Sequence, residues 1–350
     1  MRAVLGCDLL PSTLLPRTAT TVSSWCNPML TQAFRRGLIA GAFLLFALGA
    51  AAQRSSEIVI TLLGTGTPNP RPDRMGPSTL VEAGGQRLLI DAGRGTTIRL
   101  TQAGVGSGVL TAIFLTHLHS DHINGLPDVW LTGWLPFPTG ARSLPLRLIG
   151  PRGTRAMAQG LEAAFAEDIR MRTSEERLPR SGVAFDVREF DADTTVFDEG
   201  GVRVTAFAVD HGGELRPAYG FRVSYGGRSV VLSGDTRFSE NLIRHAGDAD
   251  VIVHEVINAP TTVQTQPSVA FRLSHHSSTA DVSRVLTQAK PRLAVLNHLA
   301  LVPDQDGRSP TPEAVAAAVS QTHNGRIEIG EDLMRIVVGD AIDVQRSRPR

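Results

Sequence analysis

The sequence predicts an α/β protein in which mixed β-sheets are packed by helices as a four-layer αββα sandwich. Three observations carry that expectation. Short β-rich runs alternate with helical stretches from Glu57 onward, two pairs of runs are joined by Gly-Gly as tight hairpins, and polar residues follow the strand ends in both halves of the chain. Two such halves must each cover one sheet face with helices and the other with the partner sheet, which gives four layers.

The elements follow in chain order. Residues 58–63 read as the opening strand, and 79–83 with 87–91 flank Gly84-Gly85, a tight-hairpin signal. Residues 112–116 form a short buried strand ending at a histidine cluster. A second hairpin, 219–225 with 229–233 around Gly226-Gly227, ends at Asp235. Residues 251–253 lead into His254-Glu255, and 293–296 lead into Asn297-His298. Helical periodicity covers 95–103, 154–167, 239–245, 280–289 and 312–320, the last opened by Ser309-Pro310-Thr311-Pro312. No repeat, low-complexity tract or charged linker divides residues 53–346, so one domain is the simplest account.

With 350 residues, 42% of them hydrophobic, the chain has ample material for a core. Its formal net charge is +1, but the first 52 residues carry four Arg and one Asp, so the remainder stands at about −2. No Lys/Arg run marks a phosphate-backbone reader, and nucleic acid is therefore disfavoured as a partner. Both cysteines, Cys7 and Cys26, lie near the N-terminus, so a metal in the domain must be held by His and carboxylates. Arg35-Arg36, the apolar stretch that follows and Ala50-Ala51-Ala52 read as a signal peptide over 29–52, preceded by an upstream extension at 1–28. The apolar stretch is short of the roughly 20 residues of a membrane span. A periplasmic or secreted location after cleavage, with no stable membrane anchor, is expected; oligomeric state stays open, a homodimer among the options.

The strongest chemical signal is His117-Leu118-His119-Ser120-Asp121-His122. After a strand, His117 and His119 share a direction by the two-residue period, and the turn into Asp121 and His122 brings a second pair round to face them. Imidazole and carboxylate suit Zn²⁺ or a similar borderline cation; the plainer alternative is a His-rich surface loop.

Here the chain resembles the metallo-β-lactamase superfamily, whose hallmark is HxHxDH after a strand. The likeness covers nearly all of the mature chain. It includes Gly64-Thr65-Gly66-Thr67-Pro68, Leu89-Ile90-Asp91-Ala92-Gly93, the His117–His122 cluster, then His211 in Val209-Asp210-His211-Gly212, Asp235 in Ser233-Gly234-Asp235-Thr236, and His298 in Leu296-Asn297-His298. The resemblance implies that His117, His119 and His211 hold one Zn²⁺, that Asp121, His122 and His298 hold another, and that Asp235 bridges them; Mn²⁺ or Fe²⁺ could take the same places. Two such cations would lower the pKa of a water between them and stabilise charge on the ester and leaving group. It further implies that Asp121 orients that hydroxide and that Asp91 supports the ligand loop.

Glu255 and His276 match the branch of tRNase Z-like and arylsulfatase-like members, in which His276, steadied by Glu255, would donate to the leaving-group oxygen. A purely structural polar pair is the alternative. His254 and His275 read as structural, and His245 and His323 as exposed. The Ser-x-Arg-Tyr run usual after the last ligand in tRNase Z sequences is absent, since Leu-Ala-Leu-Val-Pro follows His298, and no basic Gly/Pro-rich arm is found. The expected activity is hydrolysis of a small phosphodiester or sulfate ester. A lactonase or β-lactamase, and a non-catalytic metal-binding protein of the same fold, are the alternatives. Residues 129–137, with Trp130 and Trp134, serve either as an apolar wall of the site or as core, and Arg237 and Arg272 are candidates for binding an anionic ester. Gly64-Thr65-Gly66 lacks the sequel of a phosphate loop.

Overall fold

A computed structural model of the chain describes residues 56–136, 138 and 140–346; the extension and signal segment expected over 1–52 lie outside them. No helix among the described residues is long and apolar enough to cross a membrane.

Among the described residues, fifteen strands form two mixed sheets. The first contains β1 (Ile58–Gly64), β2 (Ser78–Ala83), β3 (Gln86–Ile90), β4 (Ala112–Phe114), β5 (Leu146–Pro151), β6 (Phe185–Phe190), β14 (Arg335–Val338) and β15 (Ile342–Gln345), ordered β15-β14-β1-β2-β3-β4-β5-β6. The second contains β7 (Thr194–Glu199), β8 (Val202–Ala208), β9 (Tyr219–Tyr225), β10 (Arg228–Leu232), β11 (Val251–Asn258), β12 (Leu293–Leu301) and β13 (Ile327–Ile329), ordered β13-β12-β11-β10-β9-β8-β7. Each sheet is antiparallel at one end and parallel at the other, the parallel stretches being β3 to β6 and β10 to β13. Both Gly-Gly pairs make the predicted hairpins. Gly84 and Gly85 have φ of 57° and 81°, and Gly226 and Gly227 have 57° and 79°, the left-handed pair that a two-residue turn with matching twist requires.

Alternation along the strands builds the layers. Leu88 and Ile90 of β3, Phe114 of β4, Val230 of β10 and Val253 of β11 enter one core between the sheets. Their neighbours point outward: Leu89 and Ile113 pack with helix Leu126–Trp134, while Val231, Ile252 and Ala294 pack under helices Glu240–Ala246, Thr279–Ala289 and Pro312–Val319. Both faces of the central strands are thus buried, which makes them read as continuous apolar runs. This is the four-layer αββα sandwich that the sequence predicts.

Several elements differ from expectation. The helix expected over 154–167 breaks at Phe165 into Thr154–Ala164 and Ala166–Ser174. Helices Leu126–Trp134 and Pro267–Leu273 had no clear periodic signal. Trp130 and Trp134 are buried in the outer core, and their indole N–H groups donate to the Val183 and Pro179 carbonyls at 2.7 and 2.9 Å. They are core, not a wall of the site, because each indole finds its one required acceptor inside. His323 is buried rather than exposed, and His245 is half-buried, stacked on Phe207 with ring centroids 4.7 Å apart and Nε2 3.1 Å from Asp193.

Candidate metal centre

The centre lies where the strand ends of the two sheets converge. β4 stops at Phe114, and the extended backbone through His119 leads into the single helical turn Ser120–Ile123, with His119 as its N-cap. That turn swings Asp121 and His122 back towards His117. Asp235 follows β10, and His211 follows β8.

His298 reaches the site differently from the sequence expectation. β11 and β12 do not end at Val253 and Leu296; they continue to Asn258 and Leu301. Within them Glu255 pairs with Asn297 and Val256 with Leu299, which leaves His298 as the extra residue of a bulge, with φ of 43°. A bulge re-aims one side chain while the ladder resumes on either side. Here it delivers His298 to the centre. Asp91 has φ of 59°, and positive φ at two non-glycine residues of one site is backbone strain held by the surrounding packing.

Seven donors meet there. His117, His119, His211 and Asp235 form one group and Asp121, His122 and His298 a second; within each, the ligand atoms lie within 4.8 Å of one another. One oxygen joins the groups: Asp235 Oδ2 is 3.4 Å from Nε2 of His122 and of His298, 3.8 Å from that of His211 and 4.0 Å from that of His117. His211 Nε2 faces His119 Nδ1 at 3.3 Å, and Asp121 Oδ2 is 3.4 Å from His298 Nε2 and 3.6 Å from His122 Nε2. The shorter of these separations are those expected of donors each about 2.0–2.1 Å from a common cation.

Orphaned nitrogens support the fit. Nε2 of His117 and of His122 is buried without a hydrogen-bond partner, whereas the opposite nitrogen of each ring is fixed. His117 Nδ1 donates to Thr116 Oγ1 at 3.0 Å, and that hydroxyl donates to Asp91 Oδ2 at 2.8 Å. His122 Nδ1 donates to the same Asp91 oxygen at 2.8 Å, and His211 Nδ1 donates to the His275 carbonyl at 2.8 Å. Fixing the outer nitrogen selects the tautomer that turns a lone pair inward, as metal-binding imidazoles require.

The electrostatics agree. Burial, reinforced by the neighbouring imidazoles, holds His117 well below its usual pKa and therefore neutral. Burial also opposes charge on His122, but Asp235 and Asp91 overcome it and hold that imidazole well above its usual value. Asp235, despite burial, is held well below the carboxylate range by His298 and His122. The pull that keeps a proton on His122 is the pull a dication would satisfy. A buried carboxylate pair such as Asp121 and Asp235 demands a compensating positive charge.

Glu255 and His276 stand beside this centre. Glu255 Oε1 accepts from His276 Nδ1 at 3.1 Å and from the Thr236 and Ser277 backbone N–H groups at 3.0 and 3.2 Å. Burial would depress His276, but Glu255 holds it at about 9. His276 stacks on His298 with ring centroids 5.5 Å apart, and its donor nitrogen also falls into a group with Asp235 and His298. The centre floors a cleft of about 350 Å³, open to solvent, whose walls include Arg272 and Phe271.

Comparison with known proteins decides the family. The chain is 39% identical over 282 residues to a ribonuclease Z of Mycobacterium bovis, an alignment covering 80% of this chain and 98% of that protein. The chain belongs to the metallo-β-lactamase superfamily, in its ribonuclease Z-like branch. A second relative, the ribonuclease Z of Mycobacterium marinum, is 39% identical over 284 residues, covering 80% of this chain and 99% of that one. The family model described as anti-Pycsar protein Apyc1 matches residues 58–269. Among solved folds, the metallo-β-lactamase fold protein YhfI of Bacillus subtilis superposes with a TM-score of 0.63 at 16% identity, over 81% of this chain and all of that one. Human tRNase Z, short form, gives 0.59 at 22% identity over 79% and 98%. As a member of this branch the chain is a metal-dependent hydrolase of the phosphodiesterase type.

The structure brings His117, His119, Asp121, His122, His211, Asp235 and His298 together, with Glu255 and His276 alongside. The two arginine candidates separate. Arg237 pairs with Asp210 at 2.7 Å and does not line the cleft, whereas Arg272 does. Buried His254 donates from Nδ1 to the Glu255 carbonyl at 2.6 Å, and His275 lends its carbonyl to His211. Sequence reading missed Thr116 and Phe271. Thr116, directly before the motif, had a positional signal; Phe271 had none, because only the fold brings it to the cleft.

Proposed function

We propose that the chain is an exported dinuclear-zinc hydrolase of small phosphodiesters. The single oxygen Asp235 Oδ2, placed 3.4–4.0 Å from four imidazole nitrogens of both donor groups, carries the dinuclear part of that reading. His117, His119 and His211 would hold one ion, Asp121, His122 and His298 the other, with Asp235 shared. When bound, such ions polarise the ester and make water a competent nucleophile near neutral pH.

The chain's own residues supply position and protons. Asp121, whose Oδ2 lies 3.4 Å from His298 Nε2, presents a carboxylate to the open cleft and orients the attacking water. His276 donates to the oxygen that leaves, and Glu255 keeps its ring aimed by holding Nδ1, leaving Nε2 as the working nitrogen. Asp91 and Thr116 hold the two imidazoles of His117 and His122 from behind. A sulfate ester would meet the same groups and belongs to the substrate range this site admits.

A second reading, cleavage of an RNA phosphodiester, is favoured by the name ribonuclease Z carried by relatives 39% identical. Against it stand the slightly acidic domain and the sequence after His298, Leu-Ala-Leu-Val-Pro. The test is metal analysis of the mature protein coupled to turnover of bis(p-nitrophenyl) phosphate, an aryl sulfate and a structured precursor RNA. Two zinc ions per chain and phosphodiester turnover, lost with chelator and restored by zinc, are expected. RNA cleavage without small-diester turnover would overturn the proposal in favour of the second reading. Export rests on residues 29–52, and a mature protein whose first residue lies far from Gln53 would remove it.

A further inference from the structure

Helix Pro267–Leu273 contributes a wall of the cleft that the chemistry above does not use. It presents Phe271 and Arg272 to the same space that the centre's His119, Asp235 and His298 face. Phe271 is 62% exposed, although a phenyl ring in water forgoes the burial that normally stabilises it. It is not loose. Its ring lies 4.2 Å from the imidazole of His275 at a tilt of 39°, and His275 Nδ1 donates to the Phe271 carbonyl at 2.6 Å. The His275 carbonyl in turn accepts from His211. An oriented, largely open aromatic ring is therefore anchored through one residue to a donor of the metal centre. Arg272, half-buried beside it, brings a guanidinium to the cleft.

We infer that Phe271 and Arg272 select the substrate, the ring stacking on a planar aromatic substituent of the ester while the guanidinium receives the charge of its phosphate. The inference rests on the phosphodiester reading above and deepens it. An exposed ring held at a fixed tilt offers a flat apolar face at little cost in side-chain freedom, and offset stacking favours a planar partner over a saturated one of equal size. Guanidinium binds the oxyanions of a phosphate through paired donors, which an ammonium at the same place does less well. Leu299 and Leu301, beyond His298, also line the cleft, so a substituent leaving water meets apolar side chains besides Phe271.

Binding of two inhibitors by the zinc-loaded protein tests this: diphenyl phosphate, and dicyclohexyl phosphate, its saturated counterpart with the same carbon count. The wild type is expected to prefer the diphenyl diester about 3- to 10-fold, the size of an aromatic stacking preference. Phe271→Ala should erase that preference and Phe271→Tyr restore it, with bound metal unchanged in both. Arg272→Gln should weaken both diesters about 10-fold and equally, with Arg272→Lys recovering part of the loss. Equal binding of the two diesters by the wild type, or a preference that survives Phe271→Ala, would overturn the inference. Failure to hydrolyse any phosphodiester is a separate readout, and it would overturn the functional reading while leaving the binding preference to stand or fall alone.

Discussion

Asp91 Oδ2 and His122 Nδ1 stand 2.8 Å apart, although 31 residues separate them in the chain. The same carboxylate, at φ of 59°, also receives the Thr116 backbone N–H and hydroxyl, each at 2.8 Å, and through that hydroxyl steadies His117. One carboxylate outside the donor groups thus aims an imidazole in each. Asp91→Asn keeps the shape but removes the charge and one acceptor. Metal affinity should fall about 10- to 100-fold with the fold intact, measured by competition with a chromophoric chelator. Unchanged affinity would mean that the carboxylate only packs.

Asp235 belongs to the first donor group, and its Oδ2 lies 3.4 Å from His122 Nε2 and His298 Nε2 of the second. Asp235→Ala should lower the zinc bound per chain and cut turnover by on the order of 10³-fold. Elemental analysis of the purified variant and steady-state kinetics on the same sample report both. Full retention of either quantity would remove Asp235 from the role assigned to it.

Chelation should cost stability as well as activity. Ions present at 100 times their dissociation constant stabilise the folded state by about 2.7 kcal/mol per site, so the thermal midpoint should drop when they are stripped and recover when zinc is returned. Calorimetry of the same preparation before and after chelation measures it. A midpoint indifferent to metal would contradict a site built from buried carboxylates and orphaned imidazole nitrogens.

His276, held by Glu255 at 3.1 Å, is assigned to protonate the departing oxygen. Protonation matters little for p-nitrophenolate and much for a poor leaving group. His276→Ala should therefore slow a p-nitrophenyl ester by less than about 10-fold and an alkyl ester by about 10²–10⁴-fold. Glu255→Gln should show the same pattern more weakly. A uniform loss across leaving groups would reduce the pair to a structural role.

Trp130 is buried, stacked on Phe185 with ring centroids 4.6 Å apart, and donates to the Val183 carbonyl. Trp130→Ala should cost about 3–5 kcal/mol in denaturant unfolding while leaving kcat per folded molecule near that of the wild type. An activity loss without a stability loss would return this segment to the active-site wall.

The hairpin turns and the histidine spacing were legible in the linear chain because they follow short-range rules. A strand has period two, a Gly-Gly pair turns a hairpin, and three imidazoles with a carboxylate in six positions converge through one tight turn. Those rules already drew His117, His119, Asp121 and His122 together, and the resemblance to the metallo-β-lactamase superfamily added His211, Asp235 and His298. Other relationships depend on contacts between distant segments, which no local pattern encodes. Pairing of β11 with β12 sets the bulge that turns His298 inward, and the inter-sheet packing brings Asp235 within reach of both groups. The fate of Trp130, Trp134 and the two arginines was likewise settled by which partner the fold placed beside each: a carbonyl for an indole, Asp210 for Arg237, an open cleft for Arg272. The sequence by itself determined the layered fold and the chemistry of the donors. Tertiary structure alone decided their aim, because a side chain's direction and partner depend on register and packing across the two sheets.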